Sequence, residues 1–162
     1  MRKKLIRIFA LLLLYAMLFP LAACGGELPS ADGAMAEFRE RYPNLPAGRA
    51  YRLSAQEYEE EALRPAFATA LFGSDLSFLA DAAIYFCATA DTPGEMGIFV
   101  CRTGDDAERM ATLCLARLYH LRKSSPAAES LMGSKVLRFG HTVVYTALPD
   151  NAAAERILRS IL

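Results

Sequence analysis

Two histidines, His120 and His141, are all that this 162-residue sequence contains, and no Cys-x-x-Cys pair stands near either. A structural zinc site, which needs four closely spaced Cys or His ligands, is therefore not expected, and no metal is. Ser74, Ser77 and Ser134 are available as nucleophiles, but no Gly-x-Ser-x-Gly elbow holds any of them. His120 follows a helical pattern beside Arg122 and Lys123, which suits a surface residue, and His141 follows Gly140 in a turn. Neither a glycine-rich phosphate loop nor a dinucleotide fingerprint occurs, so no cofactor is expected. The acids Glu57, Glu59, Glu60 and Glu61 lack the alternating spacing and central glycine of a calcium loop, and read as a solvated face.

Acidic residues are absent from the start of the chain. Arg2, Lys3, Lys4 and Arg7 form a basic opening, and 16 uncharged, leucine-rich residues run from Ile8 to Ala23. A bilayer-spanning helix needs about 20 such residues, and Pro20 weakens a helix near the end of the run. The length and the small residues Ala22 and Ala23 fit a signal peptide. Leu21-Ala22-Ala23-Cys24 resembles the lipobox of bacterial lipoproteins. That resemblance implies cleavage between Ala23 and Cys24 and a diacylglyceryl group on the Cys24 sulfur. One acyl chain holds a protein only marginally, whereas two give stable anchoring. The expected location is the extracytoplasmic face of the cell membrane, with the lipid on Cys24 as the membrane attachment.

Removal of residues 1–23 takes away 4 of the 18 basic residues and none of the 18 acidic ones. The remaining 139 residues then carry 14 basic groups against 18 acidic, a net charge of −4. That balance, without a basic cluster, argues against nucleic acid as a partner. Residues 24–33 read as a lipidated start and a flexible tether of Gly, Pro and small polar residues, and 34–162 as one α+β domain of ordinary size.

Within that domain a first helix is expected near Gly33 to Arg41, with Met35 and Phe38 on one face. "NLPAGRAYRL" is a loop or short extended piece. Ser54-Ala55-Gln56-Glu57 has the form of a capping box, predicting a helix that Pro65 kinks or divides and Gly73 terminates. Residues 82–90 and 96–103 read as strands joined at Pro93-Gly94 into an antiparallel hairpin. Asp105 and Glu108 are read as capping a helix over 105–122, whose stripe is Ala107, Met110, Cys114, Leu118 and Leu121. "KVLRFG" and "HTVVYTAL" give two more strands around Gly140-His141, and a last helix follows Pro149-Asp150 with Ala154, Ile157, Leu158 and Ile161 inward. The order strand-strand-helix-strand-strand-helix, preceded by N-terminal helices, predicts an antiparallel sheet of two hairpins with helices packed on it.

The stretch from Leu71 to Lys123, with Glu95-Met96-Gly97-Ile98-Phe99, an acid-started helix and Ala116-Arg117-Leu118, resembles the core of small bacterial lipoproteins grouped as domain of unknown function 4358. The ending from Lys135 to Leu162 is similar to that family's ending, and the resemblance as a whole covers roughly residues 55–162. It implies a lipoprotein of Gram-positive, clostridia-like bacteria, and no activity. Cys87, Cys101 and Cys114 depart from the family pattern, so no shared role passes to them.

Glu95, beside a Pro-Gly turn at the start of a strand, is the charged residue of most interest. It either closes the turn by holding a backbone N–H or an arginine, or joins Tyr85 in an acid-based site. Cys114 falls on an apolar stripe and reads as a buried packing residue. Cys87 and Cys101 depend on register. A two-residue turn at Pro93-Gly94 sets Cys87 opposite Val100 and Cys101 opposite Phe86, on opposite faces; an odd loop centred on Gly94 sets the cysteines face to face, where a disulfide could close. Reduced packing residues are the preferred reading. The function expected is a non-catalytic module that binds an envelope protein, a peptide or a wall component. A small cell-surface enzyme using Glu95 is the alternative, and a thiol-based redox role, which needs an exposed cysteine of low pKa, is a third.

Overall fold

The structure, a computed structural model, describes residues 30–88, 94–124 and 131–162. Cys24, Ala23 and the apolar run before them lie outside the described residues, as does Pro93. Among the described residues no helix is long and apolar enough to cross a membrane.

Helix α1, Ala31–Arg41, starts earlier than the sequence pattern indicates. The Ser30 side chain caps it by accepting from the Gly33 N–H, and the Ala31 N–H donates to the Asp81 carboxylate at 2.8 Å. Residues 31–33, read above as tether, are thus helical, and Ala31 is fully buried. The extended piece after α1 is a strand, β1, Gly48–Arg52.

The expected helix from Ser54 does not form. Arg52 instead engages the returning chain on both sides, its N–H donating to the Glu61 carbonyl and its carbonyl accepting from Leu63. Its guanidinium gathers Asp32, Glu59 and Glu61 at 3.3, 3.5 and 2.7 Å. These long-range bonds outcompete a local capping box. The helix begins only at Pro65, where a missing N–H costs nothing, and α2, Pro65–Phe72, ends at Gly73 with φ +67.

Strands β2, Leu79–Cys87, and β3, Glu95–Cys101, form the expected hairpin in a register that neither turn anticipated. Phe86 pairs with Glu95 and Leu79 with Cys101, across an irregularity near Asp81. Cys87 donates its N–H to Gly94. The connection therefore spans residues 88–93 instead of centring on Pro93-Gly94 or Gly94. Cys87 and Cys101 sit at opposite ends of the ladder, about 24 Å apart at ~3.4 Å per residue. A disulfide between them is ruled out, and all three described cysteines are free.

Helix α3, Gly104–Ser124, buries Ala107, Met110, Cys114 and Leu118, as the stripe indicates. Its cap lies two residues from the expected Asp105 and Glu108 pair: Thr103 and Asp106 bond reciprocally, each accepting the other's backbone N–H at 3.1 Å. Strands β4, Lys135–Phe139, and β5, Thr142–Ala147, turn through Gly140 at φ +58, a residue suited to the first central position of a two-residue hairpin loop. Helix α4, Asn151–Ile161, is capped by the Asp150 side chain on the Ala153 N–H.

The result is an α+β fold. One antiparallel sheet, in the order β1-β2-β3-β5-β4, joins the two hairpins through β3 and β5. Side chains alternate between two cores. Ala82, Ile84, Phe99, Val143 and Tyr145 meet α2 and α3, while Ala83, Tyr85, Met96, Ile98 and Val144 meet α1 and α4.

Candidate functional site

Glu95 begins β3 opposite Phe86, so its side chain points toward α3. It is 5 % exposed. Arg117, on α3, donates through Nε to one Glu95 carboxylate oxygen at 2.8 Å and through a terminal nitrogen to the other at 2.6 Å. Tyr145 donates its hydroxyl to the same carboxylate at 2.5 Å. This is a bidentate, charge-assisted clamp with a third donor.

The sheet makes room for it. Gly97 lies across from Tyr145, and a Cβ there would fall 2.5 Å from the Tyr145 ring and 2.6 Å from Phe99. A glycine inside a strand marks such a close approach. The Tyr145 ring lies over Gly97, stacks on Phe99 at 6.0 Å and meets Phe72 edge-on, and its hydroxyl thereby reaches Glu95. Burial pushes the Tyr145 pKa well above its ordinary value, and the neighbouring carboxylate adds to the effect. Burial alone would lower the Arg117 pKa, but the hydrogen bonds and charge of Glu95 outweigh it and hold the guanidinium as a firm cation.

Tyr85 is elsewhere. It pairs with Met96, one residue along, and so points to the opposite face of the sheet. Its hydroxyl donates to the Pro46 carbonyl at 2.7 Å, and the Arg39 guanidinium lies 5.3 Å from its ring centroid. The acid-based site combining Glu95 with Tyr85 is corrected on this geometry: alternation along β2 and β3 separates them. Tyr85 instead lines an open cleft of about 600 Å³ with Arg39, Glu40, Leu45 and Gly48.

The thiols are poor nucleophiles. Burial, with the Glu95 charge adding, raises Cys87 to about 11. Burial, with Asp106 adding, raises Cys101 to about 11. Cys114, fully buried on α3, is pushed well above its usual value, chiefly by burial. A redox or nucleophilic cysteine needs the opposite shift. Both histidines are exposed. Ser77 bonds Asp75, Ser74 accepts from Arg109, and the Ser134 hydroxyl is taken by the Leu131 carbonyl. Among the described residues no group of three or more His, Cys, Asp or Glu is placed to hold a metal ion.

A second cleft, of about 290 Å³, opens where β2 meets α2. Leu53, Leu63, Leu76 and Leu79 wall it, and Asp75 and Arg102 supply its charges. Sequence reasoning missed this cleft, because its residues come from four separate segments. It also left unnamed the arginine that holds Glu95 and overlooked Tyr145. Gly97 within an apolar strand, and Arg117 next to Leu118 of the buried stripe, were the available signals. Comparison with protein-family models, with curated proteins and with solved structures finds no match to this chain.

Proposed function

We propose that this chain is a lipid-anchored protein of a bacterial cell envelope, related to the lipoproteins of domain of unknown function 4358, and that it binds a partner or ligand without catalysis. The non-catalytic part rests on one observation. Glu95, the acid best placed in sequence for chemistry, has both carboxylate oxygens occupied by Arg117 and Tyr145. A general base needs a carboxylate within reach of a substrate proton, and Glu95 lines neither of the two clefts described above. An enzyme built on it would first have to break a buried ion pair. The clefts offer surfaces for a protein, peptide or wall component instead.

The anchor is supported by sequence order: basic residues, a short apolar run, Leu21-Ala22-Ala23-Cys24, then two glycines. Each buried methylene contributes about 0.8 kcal/mol, so the two acyl chains of a diacylglyceryl group suffice for stable attachment. Growth of an expressing bacterium with a clickable fatty acid tests it. The wild-type protein should carry the label and Cys24→Ser should lose it. A Cys24→Ser protein that remains labelled overturns the anchor.

A further inference from the structure

We propose that the cleft between α2, the start of β2 and the 53–63 segment binds a small apolar carboxylate, with Arg102 as the group that holds the anion. This deepens the binding-module reading and rests on it.

The walls are apolar. Leu63, Leu76 and Leu79 present their side chains from the core, and Leu53, at 38 % exposure, stands at the mouth as one of the exposed large hydrophobic residues. Arg102 lines the same cleft. Arg102 is exposed at the mouth, and its Nε donates to the Leu79 carbonyl at 3.1 Å, which ties one edge of the planar head to the wall. Among the described residues its two terminal nitrogens have no hydrogen-bond partner, and no acid forms an ion pair with it. A guanidinium held by one edge with its other donors free suits a carboxylate, which it binds through two parallel hydrogen bonds. An apolar body beside that carboxylate would cover the leucines.

Size and charge narrow the class. Small-molecule sites usually run from about 300 Å³ upward, so a cleft of about 290 Å³ takes a ligand of amino-acid size, not a long acyl chain. Asp75 also lines it, with one carboxylate oxygen turned to the N–H and hydroxyl of Ser77. A ligand carrying an ammonium beside its carboxylate, a free apolar α-amino acid, offers an anion to Arg102 and a cation to Asp75, the two charges that line the cleft. A short fatty acid shares the apolar body and carboxylate and leaves Asp75 to solvent and the nearby Arg109 cation.

Calorimetry on the full chain in non-ionic detergent, with L-leucine, L-leucinamide and hexanoate as probes, tests the site. L-leucine should bind, and L-leucinamide, which lacks the carboxylate, should bind at least about tenfold more weakly, since hydrogen bonds to charged groups are worth ~1.5–3 kcal/mol. Arg102→Gln should weaken L-leucine by about tenfold to a hundredfold on the same grounds. The comparison of probes on the wild-type protein needs no variant to fold. Leucine tighter than hexanoate assigns the amino acid; hexanoate tighter than leucine assigns the fatty acid; both support the Arg102 site. The proposal is overturned if wild type binds neither carboxylate at millimolar concentration, if leucinamide matches leucine, or if Arg102→Gln binds leucine unchanged. Chromatography of the recovered probe separates this result from the wider reading: a converted probe defeats the non-catalytic function while leaving the site, and the label on Cys24 is independent of both.

Discussion

Removing Arg117 should damage this fold more than removing Arg117 and the charge of Glu95 together. In Arg117→Met the Glu95 carboxylate, with a side chain 6 % exposed, keeps only the Tyr145 hydroxyl. Breaking a buried pair in this way costs about 3–5 kcal/mol, because one charge is left uncompensated. The Arg117 side chain retains 20 % exposure, so water reaches part of the pair and the lower end, about 3 kcal/mol, is expected. That is a large share of the roughly 5–15 kcal/mol that holds a domain folded. At about 2–4 °C per kcal/mol for a chain of this size, the midpoint should fall by roughly 6–12 °C. Glu95→Gln with Arg117→Met removes both charges and leaves groups of similar volume. Replacing a whole buried pair by apolar or neutral groups is often neutral or stabilising, so the double variant should recover most of the loss. Tyr145→Phe leaves both arginine bonds and should cost about 1.5–3 kcal/mol for one hydrogen bond to a charged group. Urea unfolding of the wild type, these three variants and Glu95→Gln alone, with slopes compared to confirm a common transition, closes the double-mutant cycle and gives the Glu95–Arg117 coupling energy. If the double variant is as unstable as Arg117→Met, the loss reflects shape and not an orphaned charge, and the electrostatic account of the clamp is wrong.

Two further outcomes follow from buried groups. The hydroxyls of Thr142 and Thr146 on β5 are buried without a hydrogen-bond partner among the described residues; Thr146→Val should raise stability by about 1 kcal/mol, and a lowered thermal midpoint would reveal a partner for that hydroxyl. Cys87 and Cys101, raised to about 11 from 9.0 by burial, keep protons in the folded chain that the unfolded chain releases. Stability should therefore be full below about pH 8.5 and fall as pH rises toward about 11, by about 1–2 kcal/mol per thiol once solvent screening of the half-buried Cys87 is allowed for. Cys114 and Tyr145 extend the loss to still higher pH, and a urea midpoint flat across this window would contradict the burial of the thiols.

Local signals decided much of this protein from sequence alone. The apolar stripe of α3 fixed its buried face, because period 3.6 leaves Met110, Cys114 and Leu118 no alternative wall. Gly73 and Gly140 stop a helix and turn a hairpin where positive φ favours glycine, and Asp150 caps α4. Strand order near each turn was legible for the same reason: the interacting residues are close along the chain. Long-range bonds decided the rest. Ser54-Ala55-Gln56-Glu57 carries a capping pattern, yet Arg52 draws Glu59 and Glu61 away and pairs its backbone with Glu61 and Leu63. The β2–β3 register depends on how both strands dock in the sheet, so the turn residues could not set it. Register in turn places Cys87 and Cys101 at opposite ends and puts Glu95 and Tyr85 on opposite faces, since a slip of one residue exchanges the faces of a strand. Whether Glu95 is a free acid or a clamped one was decided by Arg117 and Tyr145, 22 and 50 residues away, and only tertiary packing brings residues at that separation within hydrogen-bond reach.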